Sequence, residues 1–580
     1  MALLKLFMVY SVTFLMAATP AQPIKIGNAT PASPPTDFAI FRYDWNRTGV
    51  TPLSSNIATP HERWTYATSA VFTTRPLAAD VNKDGKLEIF FGEIKWNNDP
   101  RNIYALNSNG NLLWTYQVKW DAYATAVADL DGDGVPEIVL SEYAFSGKGG
   151  LSIYVANANT GMLIWKYTDV TTFWEEGFFA SPVIYDVNGD GVKDVTVGSL
   201  DRYVYTFSGK DGSVLWQSPI FDHYLLASSP LVDLNGDGEM DFVAVDNHAV
   251  ARAYSIKTHT LLWEQTVGYG VEATPAIGDV DGDGLPEVVF SLIDSGGIRV
   301  LNNDGSLLWV STVWPYFYTS PTLVDVDGDG LVDVVNMDSI DHTAIAFRGT
   351  DGVELWHTVL PNTTWSQAAM VTADIDGDAK PEVLAGSDIG LYSLDAKTGK
   401  IEWLFPADRI RREPRIADID ADGKAEIVLG AGDGRLHVLD QAPEPHFDPR
   451  TIGYWKHQCT IGAPKGGDHV GMKQSFIDAI RNQSRVFSTL GTVAEACGIL
   501  WADYKSDMAG RARQQLLALW LNVVAGFVDL NAPIHLPKLT SATTVGGAIL
   551  DAENLILTHT DKPSLERAKN ICDSLNNGRR

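Results

Sequence analysis

Cysteine, basic residues and long apolar runs are all scarce in this chain. Its three cysteines, Cys459, Cys497 and Cys572, allow one disulfide among three possible pairs and leave one thiol over. Lysine and arginine together number 44 against 72 acidic residues, a formal charge of −28. Nucleic-acid binding needs clustered cations that displace counterions from phosphates, so that class of partner is excluded and bound cations are expected instead. Beyond the N-terminus no stretch is apolar enough to form the roughly 20-residue helix that crosses a bilayer. What is abundant is Gly (51), Pro (28) and aromatic residues (10%), the balance of a turn-rich, aromatic-packed protein that leans towards all-β. At 580 residues the chain exceeds one core of ordinary size, so repeats or at least two domains are expected.

The N-terminus is built like a secretory signal: Lys5, an apolar run over residues 6–18, then small residues and Pro20, with cleavage near Ala18 or Ala21. Residues 1–21 are read as a signal peptide, which predicts a secreted or extracellular protein, with any cell-surface association indirect. The competing reading, an uncleaved anchor, has too short an apolar run to span. Residues 22–59 follow as an N-terminal extension. Glycosylation sequons begin at Asn28, Asn46, Asn362 and Asn482, and would be acceptors only in a host with that machinery.

One acidic segment, D-V-N-K-D-G-K-L-E at Asp80, returns at Asp129, Asp186, Asp233, Asp279, Asp325, Asp374 and Asp418, with 44 to 57 residues between starts. Each copy keeps Asp at its first and fifth places, Asp or Asn at the third, and Asp or Glu at the ninth. The predicted ligands are Asp80, Asn82, Asp84 and Glu88; Asp129, Asp131, Asp133 and Glu137; Asp186, Asn188, Asp190 and Asp194; Asp233, Asn235, Asp237 and Asp241. The later copies supply Asp279, Asp281, Asp283 and Glu287; Asp325, Asp327, Asp329 and Asp333; Asp374, Asp376, Asp378 and Glu382; Asp418, Asp420, Asp422 and Glu426. Hard oxygens converging in one tight loop suit calcium, which takes six to eight of them in flexible geometry, better than magnesium with its strict octahedron. A single copy would be an ordinary Asx turn, but eight in register point to up to about eight Ca2+. The sixth place is Gly in every copy but one, Ala379, where weaker binding is expected.

Short apolar runs precede each loop and β-branched runs follow it; two further strands complete each unit, the last ending in a Trp. That Trp recurs at Trp114, Trp165, Trp216, Trp263, Trp309, Trp356 and Trp403, and an extra copy, Trp64, precedes the first loop. Four strands per unit make a propeller blade, and the early strand around Trp64 can complete the last unit and close the ring. The expectation is an eight-bladed all-β propeller over residues 60–441, seven blades being the alternative, with a small C-terminal α-helical domain.

The acidic loops and their flanking strands resemble the FG-GAP or VCBS repeats of integrin α-chain propellers and of secreted microbial proteins, which implies a calcium-binding propeller. The Trp elements, best seen in L-D-A-K-T-G-K-I-E-W ending at Trp403, resemble the tryptophan-docking repeats of quinoprotein alcohol dehydrogenases, where Trp packs between blades. Such enzymes carry an adjacent Cys pair beside their quinone, and the cysteines here all lie beyond the repeats, so no PQQ is expected.

If the calcium loops occupy one face, the loops leading into each first strand form the other, where ligands are expected. Trp120, Tyr123, Trp174, Tyr269, Tyr316, Trp365 and Arg412 are the ligand-binding candidates, because aromatic faces and guanidinium groups suit sugar rings and acidic glycans. Aromatics in such loops also cap cores. The leading expectation is extracellular recognition or adhesion with a glycan or protein ligand. The rival is a secreted polysaccharide lyase, with His223 and Tyr224, or Arg412 with Glu175, for proton abstraction and charge neutralisation.

After a proline-rich linker at residues 442–450 the pattern turns helical over 451–580. The opening Gly453, Tyr454, Trp455 and Lys456 resembles the G-Y-W-K start of small helical modules on secreted microbial surface proteins, which implies attachment or assembly. His457, Cys459, Asp468 and His469 match no established zinc spacing, and a disulfide is the simpler reading.

Overall fold

The computed structural model describes residues 39–578 except 41, 45, 96–98, 146–150, 170–174, 294–295, 314, 365–367, 443–448 and 460–472. The signal-peptide reading, and those for Trp174, Trp365, Asp468 and His469, lie outside the described residues. The chain divides into two compact units, one ending at Ala442 and one starting at Pro443.

The first unit is an eight-bladed propeller of eight separate sheets. Blade three shows the pattern: Val183–Tyr185, Asp194–Gly198, Val204–Phe207 and Val214–Gln217 pair antiparallel in order. Second strands are buried on both faces, hence their runs of Val, Ile and Phe, while the outermost strands expose residues such as Val214 and Leu215. The apolar core therefore lies between blades. One layer joins Val289, Val300 and Trp309 of blade five to Leu323, Val334 and Phe347 of blade six.

The ring closes as expected. Strand Pro60–Ala67 pairs with Arg435–Gln441, so the N-terminal strand becomes the outermost strand of blade eight. The indoles then fasten neighbouring blades. Nε1 of Trp64, Trp114, Trp165, Trp263, Trp309 and Trp356 donates to Ser108 O, Ala158 O, Gly209 O, Asn303 O, Gly349 O and Ala396 O, each on the next blade, at 2.6 to 3.1 Å. Trp216 instead stacks on His259, 4.3 Å between ring centroids. Trp403 Nε1 is buried without a hydrogen-bond partner among the described residues.

The described part of the extension ahead of residue 60, between Ala39 and Ile57, runs through the middle of the ring. Ala39–Ile40 pairs with the first strand of blade two and Val50–Ser54 runs parallel to that of blade seven. Between them Arg47 donates to Pro182 O and Ser229 O, while Asn46 O, Thr48 O and Gly49 O accept from Ile277, Leu323 and Thr372. Arg42 donates to Pro321 O and Thr322 Oγ1, and Tyr43 bonds Pro414 and Ile416. Contacts to blades two through eight place this segment on the axis, so the middle of the ring is occupied by the chain itself.

The second unit holds six helices among the described residues: α1 (Ile452–Gln458), α2 (Gln474–Gln483), α3 (Val493–Trp501), α4 (Met508–Val524), α5 (Val545–Thr558) and α6 (Lys562–Asn576). Trp455 is fully buried, its indole donating to Asn522 Oδ1 of α4 at 3.1 Å. A disulfide joins Cys459 to Cys497, which selects one of the three possible pairs and removes Cys459 from any zinc site; Cys572 is a buried thiol.

Candidate metal centres and an interblade cleft

Each acidic loop joins the first strand of a blade to its second, so all eight lie at one end of the ring. In the sixth, Asp325 accepts from Gly328 N at 2.7 Å and Gly330 N at 3.0 Å, Asp327 from Asp329 N, and Asp329 from Leu331 N. These bonds curl the backbone so that φ is positive at both the fourth and the sixth places. Sequence reasoning singled out only the sixth. The fourth is equally left-handed, and is held there by Lys83 and Ala421 where glycine is missing, as Ala379 holds the sixth at φ 67°.

The ninth-place carboxylate is the deepest part of each loop. From Glu88 to Glu426, all eight are at most 3% exposed. Each accepts from the backbone N of the second residue in its own loop. Burial, with neighbouring loop carboxylates adding to it, pushes Asp194, Asp241 and Asp333 up to about 6, Glu88 and Glu137 to about 7, and Glu287, Glu382 and Glu426 to about 8. Asp241 Oδ1 and Glu287 Oε1 are buried with no protein donor among the described residues. An orphaned anionic oxygen beside two or three further carboxylates is costly unless a cation sits against it, so the donor set fits a hard divalent ion. In five loops the first, third and ninth acids bring ligand atoms within 4.8 Å of one another. The other three carry Asn82, Asn188 or Asn235 at the third place, one charge fewer.

The eighth loop differs. Arg63, on the closing strand, places Nη2 2.5 Å from Asp420 Oδ2 and Nη1 2.9 Å from Glu426 Oε1, with Asp440 3.8 Å away. A guanidinium already neutralises two of the predicted ligands there.

At the opposite end the predicted ligand residues scatter. Tyr123 is buried against Phe179, and Arg412 lies over the same Phe179 ring, 5.4 Å from its centroid. Tyr269 and Tyr316 are exposed, at 58% and 37%. His223 stacks on His248, whose ring also meets Tyr269, whereas Tyr224 packs with Tyr123 and Leu200. Glu175 starts the short strand Glu175–Gly177, but its side chain lies outside the described residues.

Trp120 does line a cavity. A cleft of about 470 Å³ between blades one and two is bordered by Tyr116, Lys119, Trp120, Glu142, Tyr154 and Lys166 among others. Sequence reasoning found one of these six. The rest come from two blades whose juxtaposition no single repeat displays, and the available signal was a pair of lysines beside aromatics in an acid-rich chain.

The family model for the FG-GAP-like repeat matches residues 80–140, 233–290, 279–336 and 325–385, so the chain carries FG-GAP-like repeats. A lambda-carrageenase from a Pseudoalteromonas species is 28% identical over 137 residues, 23% of this chain and 12% of that protein. The lambda-carrageenase of Pseudoalteromonas carrageenovora is 26% identical over 222 residues, 34% of this chain and 21% of that protein. The similarity thus spans a small part of these curated relatives. A europium-containing methanol dehydrogenase superposes with a TM-score of 0.52 at 12% identity over 69% of this chain and 97% of its own, a likeness of fold.

Proposed function

We propose that this FG-GAP-like-repeat propeller is a secreted, calcium-braced recognition protein whose ligand is a glycan. The observation that carries the calcium part is the set of buried ninth-place carboxylates, two of them with an oxygen that no protein donor reaches. Calcium on the loops pins the start of the second strands that follow them, and it leaves the opposite loops as a rigid display surface. Binding to the folded chain alone stabilises it by about 2.7 kcal/mol per site when free calcium exceeds Kd a hundredfold. Chelation should therefore lower Tm steeply, and elemental analysis should find several calcium ions per chain. A calcium-free chain with an unchanged Tm would sink the proposal.

The second reading, a polysaccharide lyase or other glycan-degrading enzyme, is favoured by the partial similarity to lambda-carrageenases. Against it, His223 and Tyr224, adjacent in sequence, belong to different side-chain clusters. Incubating the secreted chain with acidic polysaccharides separates the two. Retention without product supports recognition, and product release abolished by His223→Ala or Tyr224→Phe would establish the enzyme.

A further inference from the structure

We infer that the cleft between blades one and two binds an anionic saccharide, with Lys119 and Lys166 meeting its charged group and Trp120 seating a sugar ring. This rests on the glycan-recognition reading above and names where, and for what chemistry, it operates.

Charge is the first argument. A chain of formal charge −28 repels anions over most of its surface, and here two lysines converge on one cavity. Neither has a carboxylate within ion-pair distance among the described residues. Instead Lys119 Nζ lies 4.8 Å from the Trp120 ring centroid, and Lys166 Nζ lies 4.6 Å from that of Tyr154. A cation resting on a ring keeps its N–H donors for a ligand.

The one carboxylate lining the cleft among the described residues is committed elsewhere. Glu142 is 5% exposed; its Oε1 accepts Lys119 N at 2.7 Å and Trp120 N at 2.9 Å, and its Oε2 accepts the Tyr154 hydroxyl. It therefore fixes the backbone that presents Lys119 and Trp120, and it holds Tyr154 beneath Lys166. The site is built from a buried, fully engaged acid outwards.

Size and place agree. About 470 Å³ falls within the range of small-molecule clefts, and the half-buried rings of Tyr116 and Trp120 on its wall suit the apolar face of a sugar. Trp120 precedes strand Asp121–Ala128, at whose far end the second calcium loop begins, so the metal end and the ligand end share one strand. Lysine acts as a point charge without the bidentate geometry of arginine, so sulfate and carboxylate groups both qualify.

The test uses the full secreted chain in calcium, with affinity electrophoresis in dextran sulfate, hyaluronan and neutral dextran. Retardation by one or both anionic polymers and not by dextran is expected, and the preferred polymer names the charged group. The K119Q/K166Q double variant should weaken binding roughly tenfold or more, and W120A should weaken it too, while K397Q, an exposed lysine on an outer turn, leaves it unchanged. Tm in calcium confirms that each variant is folded. Undiminished binding by K119Q/K166Q would overturn this site and leave glycan recognition standing, equal binding of neutral dextran would overturn the anionic class, and no retardation of the parent chain by any polymer would overturn the recognition reading itself.

Discussion

At the scale of single residues, the ninth-place acids set the protein's response to pH and metal. A carboxyl whose pKa is higher folded than unfolded binds its proton more tightly in the folded state. Its contribution to stability is complete below the ordinary value, 3.8 for Asp and 4.5 for Glu, and is lost as pH rises through the folded value, here about 6 to about 8. In chelator, the metal-free chain should melt at a lower temperature at pH 8 than at pH 5.5. With calcium bound, the ion takes the proton's place as the counter-charge, and that preference should vanish or reverse. Scanning calorimetry at both pH values, with and without chelator, checks the crossover. A metal-free Tm that climbs towards pH 8 would mean that these carboxylates are solvated. None of this depth was legible in the sequence, which marks the ninth place as acidic but gives no sign that it is the buried member of the set.

At the scale of elements, the indole between blades is the recurring device, and it works because glycine lets it approach. A Cβ on Gly352 would stand 2.5 Å from the Trp309 ring, and the residue sits at φ +70°; Gly110, Gly161, Gly212 and Gly399 face the same conflict with their own indoles. Gly352→Ala should cost about 2–4 kcal/mol from overpacking and left-handed strain together, read as a loss of Tm in saturating calcium. A change under about 0.5 kcal/mol would show that the ring moves aside freely. His259 is the natural exception: it carries its own Cβ at φ 56°, and Trp216 there stacks parallel on the imidazole ring rather than lying over a bare glycine. The Trp period and the acid-loop period were both plain in the sequence, because each repeat must make the same bonds to its neighbour. The axial segment was not. It has no period, its partners are mostly backbone N–H and carbonyl groups of seven different blades, and it buries Arg42 and Arg47, residue types that composition places on the surface.

At the scale of the whole molecule, the question is how a ring of eight near-identical units is locked at its one seam. The closing strand supplies β pairing from Pro60 to Ala67, but it also carries Arg63 into the eighth acidic loop. In the seventh loop Lys380 pairs with one predicted ligand, Asp378, whereas at the seam one guanidinium meets two, and it comes from the strand that makes the closure, so locking there should not wait on metal. The guanidinium would compete with any calcium for Asp420 and Glu426, and the loop calcium should number at least one fewer than the loops themselves. Arg63→Met keeps the length and apolar stem of the side chain and removes its charge. In chelator that variant should be less stable than the parent by roughly 1–3 kcal/mol, because Asp420, Glu426 and Asp440 are left facing one another. In calcium it should regain most of the loss and bind one ion more than the parent by native mass spectrometry. Equal ion counts in the two proteins, with equal melting in chelator, would mean that Arg63 is only a surface partner and that the seam is held by strand pairing alone.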